Sequence, residues 1–342
     1  MTVLNFKTKE EIKMKMTNGF KTALVLFFTF AFATSSFAAA PELKIGSNKV
    51  GSTWYVQAAC IADVVRTRYP DVKIDASPIA GGIGNLKLLA QNKMNIALVM
   101  GNNAKWAYGG TVLFEKPIRN IRALVGGLDQ FYVGIAVRRG SGIKSLEDIA
   151  KNKQKIRLMT VQRGTTGEAS ASQILEACGF SYEDIKKWGG SVEHTDFEAI
   201  TNAMKDGRCD VFIQALSKGH PTFTELAVTG KIDLIDLSKT TLDFLKKYGY
   251  SQSILPANSF KGQTKELVLP GYRSVIMVTD KMDDDTAYKI TKAIVENKEA
   301  LRKGHKAFDD FNPKKAQNPE NLGDVPLHPG AIKYYKEIGQ LE

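Results

Sequence analysis

Only four histidines and three cysteines stand in this chain of 342 residues, and neither set is clustered. His194, His220, His305 and His328 are far apart, and none falls in an H-E-x-x-H or comparable metal spacing. Cys60, Cys178 and Cys209 form no C-x-x-C pair and are too few for a disulfide framework. They read either as buried thiols or, for Cys178 and Cys209 in the same half, as one bridge. No G-x-S-x-G elbow is present. Asp283, Asp284 and Asp285 lack the glycine and distal glutamate of a calcium loop and suit a helix N-terminus instead. Beyond the first 38 residues no apolar run approaches the roughly 20 residues of a membrane span. These gaps remove the usual grounds for an enzyme, a resident metal or a cofactor. The expectation is a binding protein with none of the three.

The chain does carry an export signal by sequence. Lys21 precedes an apolar stretch over residues 22–33, which leads to Ser36-Phe37-Ala38, a small-x-small cleavage site. Residues 1–38 are therefore expected to be a signal peptide. Glu10 and Glu11 make the extreme N-terminus an unusual leader, and Met14 or Met16 is the expected start of translation. The net charge is +11, and the leader's five lysines and two glutamates leave 42 basic against 34 acidic residues after it. That mild excess is scattered, without a nucleic-acid-binding motif, and export argues against nucleic acid as a partner.

From Leu43 onward strand-like and helix-like segments alternate. Residues 43–46, 72–77, 96–100 and 133–137 are apolar or alternating, with helical periodicity between them, which predicts an α/β wound fold. Val56, Cys60 and Val64 recur every four residues on the first helix and are expected to face the sheet. A charged patch at residues 151–155 introduces a second series, with strands near 156–161 and 210–215. The helix between them begins near Gly167, carries the stripe Ala171, Ile174, Leu175, Cys178, and stops at Gly179. Residues 267–279 read as strand broken at Pro270-Gly271, and residues 286–301 as one amphipathic helix. The proline-bearing tail 312–330 is expected to run extended before a short helix from Ala331. The length suits two lobes: residues 39–137 with 273–342, and residues 138–272, joined by hinge strands near 133–137 and 273–278.

Two loops of one kind sit in the two halves. The first, Gly46-Ser47-Asn48-Lys49-Val50-Gly51-Ser52-Thr53, follows a strand and opens a helix with phosphate-loop spacing. Ser52 occupies the lysine position, so a smaller anion than a nucleotide phosphate fits. Helix N-termini leave unpaired N–H groups with partial positive charge, and these hold a carboxylate without a basic side chain. The second loop is Arg163-Gly164-Thr165-Thr166-Gly167. Gly51, Ser52 and Thr53 on one side and Thr165, Thr166 and Gly167 on the other are the expected clamp. Tyr55 offers a phenol, and Arg163 a bidentate donor or simply a solvated surface residue. Gly81-Gly82-Ile83-Gly84 is no dinucleotide fingerprint, because Lys87 stands where the third glycine belongs. Asn85 beside it caps a helix or reaches the ligand. Asn102 and Gln214 follow strand ends, where ligands of α/β sheets lie. His220-Pro221 lines the same cleft by this reading.

The combination of residues 46–55, Gly82 with Asn85, Arg163 to Gly167, the segment Asp206-Gly207-Arg208-Cys209-Asp210-Val211-Phe212, Gly219-His220-Pro221, and Leu327-His328-Pro329-Gly330-Ala331 with Tyr334-Tyr335 resembles the TAXI family of solute receptors for TRAP transporters. The resemblance runs over nearly the whole chain after the leader. It implies a two-lobed periplasmic-binding-protein fold, type II-like, with the ligand cleft between lobes. It implies a monomeric periplasmic receptor that captures a small organic anion, namely a dicarboxylate, 2-oxo acid or acidic amino acid, and hands it to TRAP membrane permease subunits. Asn48, Lys49 and Val50 replace the glycine- and threonine-rich run of the family, so the anion itself stays open. The alternative reading is a periplasmic ligand-sensing module for a signalling receptor.

Overall fold

The computed structural model describes residues 42–342 apart from Gly51 and Ala80. The expected leader, residues 1–38, lies outside the described residues. The chain begins β1 (Leu43–Gly46), α1 (Thr53–Arg68), β2 (Ile74–Ser77), α2 (Gly81–Ala90), β3 (Ile96–Met100), α3 (Gly101–Gly109) and β4 (Ile121–Val125). It continues with β5 (Phe131–Arg138), α4 (Leu146–Asn152), β6 (Arg157–Thr160), α5 (Thr166–Ala177), α6 (Tyr182–Lys187), β7 (Ser191–His194), α7 (Phe197–Lys205) and β8 (Val211–Leu216). Then come α8 (Pro221–Thr229), β9 (Ile232–Ile235), α9 (Lys239–Leu245), β10 (Ser251–Leu255) and β11 (Leu267–Tyr272). It closes with β12 (Ser274–Thr279), α10 (Asp284–Glu296), α11 (Lys298–Gly304), α12 (Pro319–Leu322) and α13 (Pro329–Glu337).

The strands form two sheets, and the fold is α/β with two lobes. The first sheet has the order β2-β1-β3-β12-β4, and the second β10-β11-β5-β8-β6-β7 with β9 also on β5. In each, three parallel strands are followed by one antiparallel strand: β12 beside β3, and β5 beside β8. That antiparallel strand arrives from the other lobe in both cases. The unit β1-α1-β2-α2-β3-α3 thus has its counterpart in β6-α5-α6-β7-α7-β8-α8, the repeat of plan that the two loops suggested.

The chain crosses between sheets twice, at residues 126–130 and at Arg273. The first crossing precedes the strand expected to make it: Val133 to Val137 lie wholly inside β5, paired with β8. Gly126 and Gly127 make that passage possible. A Cβ on Gly126 would fall 2.2 Å from the Asn321 carbonyl, and Gly127 has φ +71°, a conformation side chains resist. At the second crossing the break is Arg273, not Pro270-Gly271, because β11 pairs with β10 through Pro270 and Gly271 and with β5 at Gly271 and Tyr272.

Caps and burial explain the helices. Ser52 caps α1, its Oγ accepting from Tyr55 N at 3.2 Å, and Thr165 caps α5 through Glu168 N at 3.3 Å. The buried face of α1 is Trp54, Ala58, Ile61, Ala62, Val64 and Val65, so Val64 faces inward as expected, whereas Val56 and Cys60 are the half-buried flank. On α5 the stripe Ala171, Ile174, Leu175, Cys178 is buried as its spacing predicts. The expected helix 286–301 is two, broken at Asn297. The tail folds into short helical turns at residues 306–310, 313–315 and α12 instead of running extended, and α13 starts at Pro329. One apolar cluster spans both lobes, from Leu86, Trp106 and Met277 through Tyr272 and Tyr250 to Ile135 and Ile174. Cys178 and Cys209 are buried, free, and in different clusters.

Candidate functional site

The repeat of plan sets the geometry of the cleft. Parallel strands β1 and β3 end toward the second lobe, β6 and β8 toward the first, and each is followed by a helix whose N-terminus faces the gap. On one flank α3 meets α5: Asn103 Nδ2 donates to Thr166 Oγ1 at 3.0 Å across the lobes. Beyond it Trp106 Nε1 donates to the Tyr248 carbonyl at 2.9 Å. On the other flank the start of α1 faces the β8–α8 loop across a cavity of about 320 Å3. Thr53 lines it from the first lobe and Ser217 and Lys218 from the second, with Asp129 and Gln130 of the first crossing and Phe131 of β5 as floor and His305, Lys306, Ala307, Asp309 and Asp310 as rim. Lys218 Nζ lies 3.5 Å from Asp310 Oδ2, a third tie between lobes. A cavity of about 440 Å3 adjoins this one, sharing Gln130, Lys218 and Asp310, and is lined also by Tyr132, Ser253, Tyr272 and Arg273.

Between the flanks lies a buried set of polar and aromatic side chains. Trp54 stands edge-on to Phe131 with centroids 6.3 Å apart, and Phe131 stacks on Tyr272 at 5.9 Å. Asn102 Nδ2, Gln214 Oε1 and the Tyr272 hydroxyl are buried with no hydrogen-bond partner among the described residues. Buried polar groups are ordinarily paired, so each of these three is free to take a further partner. Two glycines leave room beside Gln214 and beside Asn103 and Trp54. A Cβ on Gly167 would fall 1.7 Å from Gln214 Oε1, and one on Gly82 would fall 3.0 Å from Asn103 Nδ2 and 3.3 Å from the Trp54 ring.

The residues singled out by sequence fall in different places. Thr53, Asn102, Thr166, Gly167 and Gln214 come to the junction of the lobes. Ser52 and Thr165 act as caps, and Thr165 Oγ1 also donates to the Gln162 carbonyl at 2.7 Å. Asn85 is fully buried and ties the β1–α1 loop to β3, donating to the Ser47 carbonyl at 3.0 Å and the Leu98 carbonyl at 3.3 Å, so it supports the loop from behind. Tyr55 is half-buried and lines neither interlobe cavity. Arg163 is exposed and makes no ion pair among the described residues. His220 lies edge-on to the Phe197 and Phe223 rings, and burial lowers its pKa to about 4, so it is a neutral packing residue at pH 7. Gly51 lies outside the described residues.

Sequence reasoning missed Asn103, Asp129, Lys218 and Ser274. The Asn-Asn pair after β3 was a signal, but which of the two reaches across depends on the helix phase. Asp129 is 2% exposed and sits at the pivot. Its Oδ1 accepts from Ser274 N at 2.8 Å, and its Oδ2 accepts from Ser274 Oγ at 2.8 Å and Gln57 Nε2 at 3.2 Å. Trp54 Nε1 in turn donates to Ser274 Oγ at 2.9 Å. Burial pushes the Asp129 carboxyl up, against the lowering effect of these bonds.

Residues 45–339 match the model of the NMT1-like family. The chain belongs to that family. Among solved structures it is similar to XAC2383 from Xanthomonas citri bound to ATP, at 13% identity and a TM-score of 0.50, covering 87% of this chain and 100% of that one. A TctC solute-binding protein from Polaromonas aligns at 13% identity and a TM-score of 0.49, over 90% of this chain and 100% of its own. MatC from Rhodopseudomonas palustris with bound malate aligns at 11% identity and 0.48, over 87% and 97%. At such identities the likeness to XAC2383 is one of fold, and it agrees with the two-lobed architecture traced above.

Proposed function

We propose that this chain is an exported solute receptor of the TAXI type, which captures a small organic anion by lobe closure and delivers it to the membrane subunits of a TRAP transporter. The observation that carries the reading is the cavity of about 320 Å3 walled by the start of α1 on one lobe and the β8–α8 loop on the other, with the crossing as floor. A ligand there touches both lobes only when they are together, so its binding energy favours that arrangement over an open one. The hinge by this reading is residues 126–130 with Arg273, and the lobes are residues 39–125 with 274–342 and residues 131–272. The α1 amides and Lys218 supply donors for a carboxylate. The leader expected from the sequence supports a periplasmic location for the receptor.

Thermal-shift measurements on residues 39–342 with dicarboxylates, 2-oxo acids and amino acids test this. A ligand bound to the native state raises Tm by an amount set by its concentration over Kd. A shift from at least one carboxylate, lost on Thr53→Pro together with Lys218→Glu, is expected. Absence of any shift across the panel at millimolar concentration would remove the proposal.

A further inference from the structure

The interlobe cavity carries negative side chains that an anion alone does not explain. Asp129 forms part of its floor, and Asp309 and Asp310 stand on its rim. The rim acids have cations of their own: Asp310 with Lys218 at 3.5 Å, and Asp309 with Arg302 at 3.7 Å. Asp129 does not. Its hydrogen-bond donors are the Ser274 amide and hydroxyl and the Gln57 carboxamide, all uncharged. Arg273 acts on it only at longer range, because Arg273 Nη1 donates to the Asp310 carbonyl at 3.1 Å. A carboxylate offers about four acceptor positions, and three are used here. A buried carboxylate without a counter-charge is costly, and an adjacent cation offsets that cost.

We infer that the ligand of this cleft bears a protonated amine beside its carboxylate, and that Asp129 receives the ammonium and sets specificity for 2-amino acids over 2-oxo acids and plain dicarboxylates. The inference rests on the reading of the cleft as the ligand site. An ammonium at the floor takes the remaining acceptor position of Asp129, and the ligand carboxylate lies toward the α1 amides and Lys218. A 2-oxo acid puts a carbonyl oxygen where the ammonium would be, against a carboxylate already short of positive charge. It loses the attraction and meets repulsion in its place.

Calorimetry with ligands of matched skeleton separates the possibilities: glutamate, 2-oxoglutarate and glutarate, and leucine with 4-methyl-2-oxopentanoate. The intact protein is expected to bind one of the amino acids at least about tenfold more tightly than its 2-oxo counterpart. Asp129→Asn is expected to weaken the amino acid about tenfold or more and leave the 2-oxo acid unchanged or improved. Ser274→Ala, which disturbs the pivot but keeps the carboxylate, should weaken both members of a pair by the same factor. Equal or tighter binding of the 2-oxo acid by the intact protein overturns this inference alone, as does an Asp129→Asn variant weakened equally for every ligand. Binding of no member of the wider carboxylate panel overturns the cleft reading and takes this one with it.

Discussion

Ser274 grips Asp129 twice, through its backbone amide and through its hydroxyl, each at 2.8 Å. Asp129 belongs to the first crossing and Ser274 directly follows the second, so the two passages of the chain between lobes are fastened side by side at this point. Trp54 and Gln57 fasten α1 to the same pair. In the proposed closure the lobes turn about this polar knot, which also reaches the candidate cleft.

Ser274→Ala removes one donor to Asp129 and the acceptor of the Trp54 indole. Both are buried, so the loss is that of a hydrogen bond plus an unpaired group, about 1–3 kcal/mol. Urea unfolding should show a lower midpoint with an unchanged slope. A variant as stable as the parent would contradict the knot.

Thr166→Val breaks the Asn103–Thr166 bond, which exists only with the lobes together. Stability of the separate lobes should change little, while affinity for any cleft ligand should fall about two- to tenfold, the worth of one such bond. Calorimetry beside urea unfolding distinguishes the two effects, and an equal loss in both would place Thr166 in the fold alone.

Gly167→Ala puts a methyl into the Gln214 carboxamide. The expected cost is about 1–3 kcal/mol, as for an overpacked core. Shortening the neighbour, in Gly167→Ala with Gln214→Ala, should recover part of it. A double-mutant cycle with no coupling would show that the strain lies elsewhere.

Asp210 ties β5 to β6. Arg138 Nη2 and Arg157 Nη2 each donate to its Oδ1, at 2.9 and 2.8 Å, and Arg157 N donates to Oδ2 at 2.9 Å. Burial would raise its carboxyl, but these donors outweigh burial and hold the pKa down at about 2. The unfolded value is about 3.9. A carboxyl with a lowered native pKa stabilises the fold above the unfolded pKa and loses that contribution as pH falls toward the native one. Asp210→Asn should thus be less stable than the parent by about 1–3 kcal/mol at neutral pH. The gap should narrow below about pH 4 and close near pH 2. A gap that does not depend on pH would assign the effect to packing.

Local features were legible in the sequence, and non-local meetings were not. Ser52 and Thr165 cap their helices because a cap is decided within four residues, and the α5 stripe needs only its own spacing. The core face of α1 was only partly placed: Val64 is buried as expected, but Ala58 and Ala62, small and easily passed over, carry the face with Ile61 and Val65, and the larger Val56 sits on the flank. At the start of α3 a helix turns about 100° per residue, so of two adjacent asparagines only Asn103 points at Thr166. Asp129 and Ser274 are 145 residues apart and meet only because strands are exchanged between sheets. No period or motif within either segment encodes that meeting. His220 looked like a ligand residue from its Gly-His-Pro setting, but the rings beside it come from Phe197 and Phe223, and Phe197 belongs to a separate helix.

The placement of β12 also orders events in time. β4 pairs with β12 and touches Leu327 by a single bridge, and both partners are made long after it. As the chain emerges from synthesis, residues 131–272 already hold every strand of their own sheet, while β3 and β4 wait with open edges until residue 279 has appeared. The second lobe can thus be finished before the first, whose β3 and β4 edges stay open to mispairing in the meantime.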